Sequence, residues 1–384
     1  MAARGGAAGG PLAGVRVLEL GGIGPVPFAG MMLAGLGAEV VRVERPGAAT
    51  TPVDAVLLRG RRSAAVDLKQ PEGAAAVLRL ASSADALIEG FRPGVAERLG
   101  LGPEECLAVN PRLVYGRMTG WGQDGPLAHS SGHDINYIGL TGVLHAIGPA
   151  DGDPVLPLNL IGDFGGGGML LALGVAAALL HARATGEGQV VDTAMTDGSA
   201  LLLSMTHGML SGGMWRDERG VNLFDGCAPF YTTYRCADGG HVAVGAIEPQ
   251  FYAALVRGLG LAEDPQCARQ GPPDTWPAVR RRFAEVFAGR TRDEWAEHFG
   301  GTDACVTPVL SLTEAPRHPH NAARGTFLEE DGPLRAAPAP RFSATPATAS
   351  GPVPEVGEHT RRVLAEAGLT DTELDSLSAR GVIG

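Results

Sequence analysis

Lysine is nearly missing from this chain: Lys69 stands alone among 31 lysines and arginines. Such a bias reads as genomic base composition rather than function, and against it Lys69 marks a place where an ammonium is wanted. Aromatic residues are also scarce, at 5%. The core is therefore expected to consist of Ala, Val and Leu, with helices lying close on a sheet. The cysteines (106, 227, 236, 267, 305) are odd in number and show no CxxC or CxxH spacing, which argues against a disulfide framework or a zinc site and suits a reducing cytoplasm. No apolar run is long: the longest, 169–180, falls short of the ~20 residues that cross a bilayer, so no membrane insertion is expected. The first ten residues, MAARGGAAGG, lack an apolar signal region and read as a flexible tail, and the C-terminal GVIG is no peroxisomal address. A net charge of -11 argues against nucleic acid as a partner. No GxSxG occurs, which disfavours a serine hydrolase.

What is present is an ordinary globular composition, 45% hydrophobic and 19% charged, in a chain of 384 residues that is long enough for two domains. Residues 15–20 read as a buried strand, 28–36 as a helix and 39–43 as a second strand, opening an α/β domain. Strands at 64–67, 86–89, 113–118 and 190–194, with a helix over 72–81, continue the alternation and predict a parallel sheet covered by helices. A long apolar helix is expected after Asp163, to about residue 184, and helical sequence over 201–210 leads away. Near 224 the pattern changes. Runs 230–236 and 241–246 flank Asp238-Gly239-Gly240 as a hairpin, and helices follow at 276–288 and from Thr291, where Thr291 and Glu294 form a capping box. The expected division is a tail (1–10), a large α/β domain (11–200), a linker helix (201–224), a small α+β domain (225–315) and a C-terminal stretch (316–384) that includes a Pro- and Ala-rich run and a terminal helix over 360–367.

Gly22-Ile23-Gly24 after the first strand, with Glu44 closing the second, imitates a dinucleotide-binding loop. The third glycine position holds Pro27, and Pro25 and Pro27 lack the amides that would face a pyrophosphate, so NAD is not expected. Charge is uneven: residues 42–98 hold nine basic against seven acidic side chains, a small positive excess on an acidic protein. That suits a compact polyanion, and Arg forks with a Lys point charge are natural partners for phosphates.

Two groups stand out as proton carriers. His133 lies in Gly132-His133-Asp134-Ile135-Asn136-Tyr137, and Asp163 lies in Gly162-Asp163-Phe164 before a run of four glycines. An imidazole titrates near neutrality. Taking a proton from one face of a carbon and returning one to the other needs two such groups on opposite sides of it. Asp163 also has a purely structural reading as the N-cap of the following helix, a role that would lower its pKa, while burial would raise it.

The run 117–126 (RMTGWGQDGP) with the 132–137 motif, and the flanking VRVLELGGIGPVPFAG and APRFS, resembles the racemase branch of the family III CoA-transferases over nearly the whole chain. The resemblance implies a large Rossmann-like parallel-sheet domain that binds CoA and to which the C-terminal stretch 316–384 returns, a smaller α+β domain and an interlocked homodimer. It implies racemisation of 2-methylacyl-CoA thioesters through an enolate, with His133 and Asp163 as the two bases and no cofactor beyond the CoA of the substrate itself. Glu248 would orient the imidazole from the small domain, its own or the partner subunit's. Arg45 would meet the ADP phosphates, Val66, Asp67, Leu68 and Lys69 would follow adenine and ribose, and Gly90, Phe91, Arg92 and Arg98 would complete the pocket. Gly132, Asp134, Ile135, Asn136 and Tyr137 would line the substrate. A CoA-transferase of the same fold, with Asp163 attacking the thioester to form an acyl anhydride, is the alternative, and a CoA-binding protein without chemistry is a third. The acyl chain is left open.

Overall fold

A computed structural model describes residues 9–329, 333–347 and 351–384. The expected N-terminal tail lies almost wholly outside the described residues. Contacts divide the chain into two units: Met1–Thr141, Pro157–Leu203 and Gly325–Gly384 form the first, and Gly142–Leu156 with Ser204–Arg324 the second.

The first unit is built on six parallel strands, β1 (Arg16–Leu20), β2 (Glu39–Glu44), β3 (Arg62–Ala65), β4 (Ala86–Glu89), β5 (Val114–Thr119) and β6 (Gln189–Ala194), in the order β3-β2-β1-β4-β5-β6. Val17 pairs with Val40 on one side and Ala86 on the other. Because side chains alternate across a strand, each strand feeds both faces. Leu18, Val41, Leu87 and Tyr115 join a core with the helix Pro71–Ala81 and the C-terminal helices Thr360–Glu366 and Asp371–Ala379. Val17, Val40, Ile88 and Val114 join another with α1 (Pro25–Gly35) and the helix Leu170–Thr185. Two-sided burial explains why the strands read as continuous apolar runs. The C-terminus continues the sheet's edge: Val66 bridges Ile383, and Asp67 N–H donates to Val382 O at 2.8 Å. With the preceding ten-residue π-helix, Leu160–Thr185 runs to 26 residues and is long and apolar enough to cross a membrane, longer than the run read from sequence. Its Leu171, Val175 and Leu179 are buried against the sheet.

The second unit carries the antiparallel sheet β7 (Tyr231–Arg235), β8 (His241–Gly245) and β9 (Val306–Val309), in that order. Phe283, Phe287, Trp295 and Phe299 pack behind it, so the scarce aromatics are concentrated here. The capping box forms as expected, Thr291 N–H donating to Glu294 Oε2 at 2.8 Å. Residues 142–156 belong to this unit, not to the first as their position in sequence suggests. Arg219 accounts for the difference: its guanidinium donates to the carbonyls of His145, Pro149 and Gly152.

A buried charge cluster joins the first three strands to α1. Glu19 is fully buried between Arg42 and Arg61, and Arg42 also pairs with Glu44 at 2.9 Å. The two guanidiniums reach onward, Arg42 to Gly22 O at 3.1 Å and Arg61 to Pro27 O. Burial works against the charge on Arg61, and Glu19 opposes that cost. Gly30 makes room for the cluster, since a Cβ there would stand 2.1 Å from Glu19 Oε2. Removing one partner of a buried ion pair strands the other charge, at a cost of about 3–5 kcal/mol. Glu19→Gln should therefore lower the urea midpoint by a corresponding amount, and an unchanged midpoint would contradict a structural role for the cluster.

Candidate active site

Open α/β sheets bind ligands beyond the carboxyl ends of their strands, where neighbouring connections leave in opposite directions. Here that point lies between β1 and β4. A cavity of about 310 Å³ opens there, lined by Ile23 to Val26 after β1, Gly90 to Pro93 after β4, Met118 to Trp121 at the end of β5, and Met195 after β6. Gly132, His133, Tyr137 and Asp163 line the same cavity.

His133 is exposed and directly precedes the helix Asp134–Leu140. Its extended backbone and the helix start are held reciprocally: His133 N–H donates to Asn136 Oδ1 at 3.0 Å, and Asn136 N–H to His133 O at 2.8 Å. Tyr137 braces the turn from behind, its hydroxyl donating to Gly132 O and its ring edge-on to Trp121 at 4.7 Å. Arg92 donates to Ser131 Oγ at 2.8 Å, joining the loop after β4 to this turn.

Asp163 does not cap a helix. The helix starts earlier, after Asn159, and Asp163 sits inside the π-helix Leu160–Met169 that continues into Leu170–Thr185. Short π segments recur at functional sites. The Asp163 side chain accepts Asn159 Nδ2–H at 3.0 Å, while its own backbone N–H donates to Asp134 Oδ1 at 2.8 Å. Burial holds the Asp163 carboxyl above its ordinary value; the Asn159 bond opposes this, the Asp134 charge adds to it, and His133 opposes it. The cap reading predicted the opposite direction. Of the four glycines after Phe164, Gly166 and Gly168 are packing positions, where a Cβ would lie 2.6 Å from Ser199 N and 2.7 Å from Pro25 O.

Of the remaining expected binding residues, Gly90, Phe91 and Arg92 line the cavity, whereas Arg45, Val66, Asp67, Leu68, Lys69, Arg98, Asp134, Ile135 and Asn136 are not among its lining residues. Arg45 and Lys69 are exposed just beyond β2 and β3, and both lower the pKa of Asp67 by their charge, after the larger effects of Gln70 and the Lys69 amide. Val66 is fully buried in the core and its N–H is taken by Glu44 O at 2.7 Å, so its side chain faces no ligand. Arg98 is exposed near Gly94. Asp134 is buried, Ile135 and Asn136 exposed. Glu248 belongs to the second unit, where it is exposed immediately before the helix Pro249–Gly258.

Sequence reasoning passed over Glu89. It is buried at the end of β4, accepts Phe91 N–H at 2.6 Å and Arg117 Nε–H at 3.0 Å, and so shapes the Gly90–Pro93 turn. Arg117 in turn reaches Glu97 at 2.8 Å. A carboxylate in a strand otherwise reading Ala-Leu-Ile was the available signal, because charges are rarely buried without a partner.

The raised Asp163 pKa fixes the sign of a stability effect. The folded protein holds this proton more tightly than the unfolded chain, so the contribution is fully present below the unfolded value and is lost as pH rises through the folded one. Asp163→Asn, which keeps an acceptor for Asn159, should thus melt no lower than the parent at neutral pH. Its relative advantage should shrink towards pH ~4. A thermal-melt series in which the variant gains stability only on acidification would contradict the desolvation.

The sequence pattern of CoA-transferase family III matches residues 12–360. The chain is 48% identical over 374 residues to a mouse protein (Mus musculus) named alpha-methylacyl-CoA racemase, covering 97% of each. It is 30% identical to mouse succinyl-CoA:glutarate CoA-transferase, covering 97% of this chain and 90% of that one. The crystal structure of a CAIB/BAIF family protein from Brucella suis superposes with a TM-score of 0.80 at 26% identity, covering 94% of this chain and all of that one. This chain belongs to CoA-transferase family III.

Proposed function

We propose that this chain interconverts (2R)- and (2S)-2-methylacyl-CoA thioesters by proton transfer at the α-carbon. The observation that carries the reading is that an imidazole, His133, and a carboxyl raised above its ordinary range, Asp163, line one small cavity at the sheet's switch point. The 48% identity to a protein named for this activity supports it. His133 takes the α-proton of one enantiomer, leaving an enolate of the thioester, and the Asp163 carboxyl delivers a proton to the opposite face. The reverse passage exchanges the roles. A carboxyl whose pKa is moved towards neutrality serves both as donor and as acceptor. No redox step or metal is needed for this balance, and CoA enters only as part of the substrate.

Arg45 is assigned to the ADP phosphates of CoA, Asp67, Leu68 and Lys69 to its adenine and ribose, and Gly90, Phe91, Arg92 and Arg98 to the rest of the pocket. Glu248 is assigned the role the family resemblance gives it, orienting the imidazole. A homodimer is the proposed assembly: Leu173 and Leu180, two turns apart on the helix Leu170–Thr185, are 64% and 72% exposed, an apolar stripe that suits burial against a second copy. Sedimentation should give twice the chain mass, and a monomer at micromolar concentration would remove this part of the proposal. The buried face of Leu170–Thr185 supports a core helix rather than a membrane span. The five unpaired cysteines suit a reducing cytoplasm.

The transferase alternative has the same Asp163 as nucleophile, but gives His133 no evident role. Incubating a 2-methylacyl-CoA in deuterated water separates the two. Deuterium should enter C2 with CoA retained, and His133→Ala should slow this by about 10²–10⁴-fold, the usual worth of a positioned acid or base. No uptake, with CoA passing to added succinate, would establish transfer instead.

A further inference from the structure

Asp134 follows His133 directly, and its side chain is turned away from the cavity. It is 7% exposed, and its Oδ1 accepts the backbone N–H of Asp163 at 2.8 Å. Space is reserved for that contact: a Cβ on Gly162 would stand 2.5 Å from Asp134 Oδ1. One buried carboxylate therefore connects the turn that carries His133 to the π-helix that carries Asp163. Among the described residues no ion pair involves Asp134. The charged and titratable groups around it are Asp163 and Tyr137, which feel its charge, with His133 acting on Asp163 and Arg92 on Tyr137. A role limited to starting the helix Asp134–Leu140 would need only an acid near its N-terminus. It would not need a bond to a residue of another element.

We propose that Asp134 is a positioning residue, a carboxylate clamp that fixes the chain segment bearing Asp163 relative to His133 and acts on proton transfer without touching the substrate. The inference rests on the two-base reading above. The clamp does two separable things. Its oxygen holds the Asp163 main chain, and its negative charge disfavours a second negative charge on the Asp163 side chain. Asp134→Asn keeps the oxygen and removes the charge, whereas Asp134→Ala removes both.

The test is α-deuterium exchange by both variants across pH, together with a carboxyl NMR titration of Asp163, assigned by comparison with Asp163→Asn. In Asp134→Asn, KM should stay within about twofold, since the side chain leaves the ligand untouched. The acidic limb for the enantiomer that Asp163 deprotonates should move to lower pH, because the neighbouring charge that raised its carboxyl is gone. In Asp134→Ala, kcat should fall on the order of 10-fold to 10²-fold with KM little changed, the usual result of a small misplacement. An unmoved limb in Asp134→Asn with parental kcat in Asp134→Ala would overturn the clamp. Should Asp134→Ala fail to fold, the limb in Asp134→Asn alone decides. If the parent protein shows no exchange at all, the two-base reading falls. The Asp163 titration still judges the clamp in that case, and an identical titration in parent and Asp134→Asn refutes it.

Discussion

The fully buried Glu19 carboxylate is the constraint on which the site's architecture depends. A charge in the middle of β1 is tolerable only if guanidiniums from neighbouring elements neutralise it, and Arg42 of β2 and Arg61 before β3 do so. Each then has donors to spare. These hold Gly22 O in the loop after β1 and Pro27 O in the first turn of α1. The cluster thereby fixes the loop from Ile23 to Val26, one wall of the cavity, from below. On the other side of the switch point Glu89 does the same work with Arg117, holding the Phe91 amide and with it the opposite wall. Two buried acids on adjacent strands thus set the width of the crevice between β1 and β4. These charge pairs add to the apolar packing of α1 and β4 and make the walls' positions directional in a way that Ala and Val contacts alone are not.

Much of this was legible in sequence. Strand runs were found within a residue or two wherever they were apolar on both faces, because two-sided burial writes an unbroken hydrophobic word. The Thr291–Glu294 box and the Asp238-Gly239-Gly240 hairpin were legible because their chemistry is local. The motif carrying His133 was visible through resemblance, and the cavity does contain His133, Asp163, Tyr137 and the 90–92 turn. What failed was whatever depends on contacts remote in sequence. The attachment of residues 142–156 to the second unit rests on Arg219, far along the chain. Asp163 read as a cap because a carboxylate ahead of an apolar run usually is one. The π-helix that begins four residues sooner, Leu160–Met169, has no periodicity signal of its own. Val66 was placed along a ligand by the family resemblance, but its side chain is fully buried in the core and its backbone bridges Ile383 of the C-terminal segment.

The Arg-rich stretch 59–62 illustrates the same limit. Arg59, Arg61 and Arg62 crowd one short loop, and the sequence alone leaves them ligand-facing or merely exposed. In the fold, Arg61 is committed to Glu19 and Arg62 to Glu39 and Glu366. Much of the local positive excess is consequently consumed internally. The cations left exposed at strand ends, Arg45 and Lys69, are fewer but lie together around Asp67.

The two proposed bases end up in different electrostatic settings for structural reasons. His133 sits at the outer edge of the cavity on an exposed turn held by Asn136 and backed by Tyr137. Its local frame is rigid, yet the imidazole keeps contact with solvent. Asp163 is half-buried in a π turn, with one neutral donor, Asn159, and one like charge, Asp134, near it. Burial and the like charge of Asp134 both favour the protonated form of the Asp163 carboxyl, an effect that an exposed carboxylate would lack. Placement in the fold therefore gives Asp163 a readiness to hold a proton that its residue type alone does not carry.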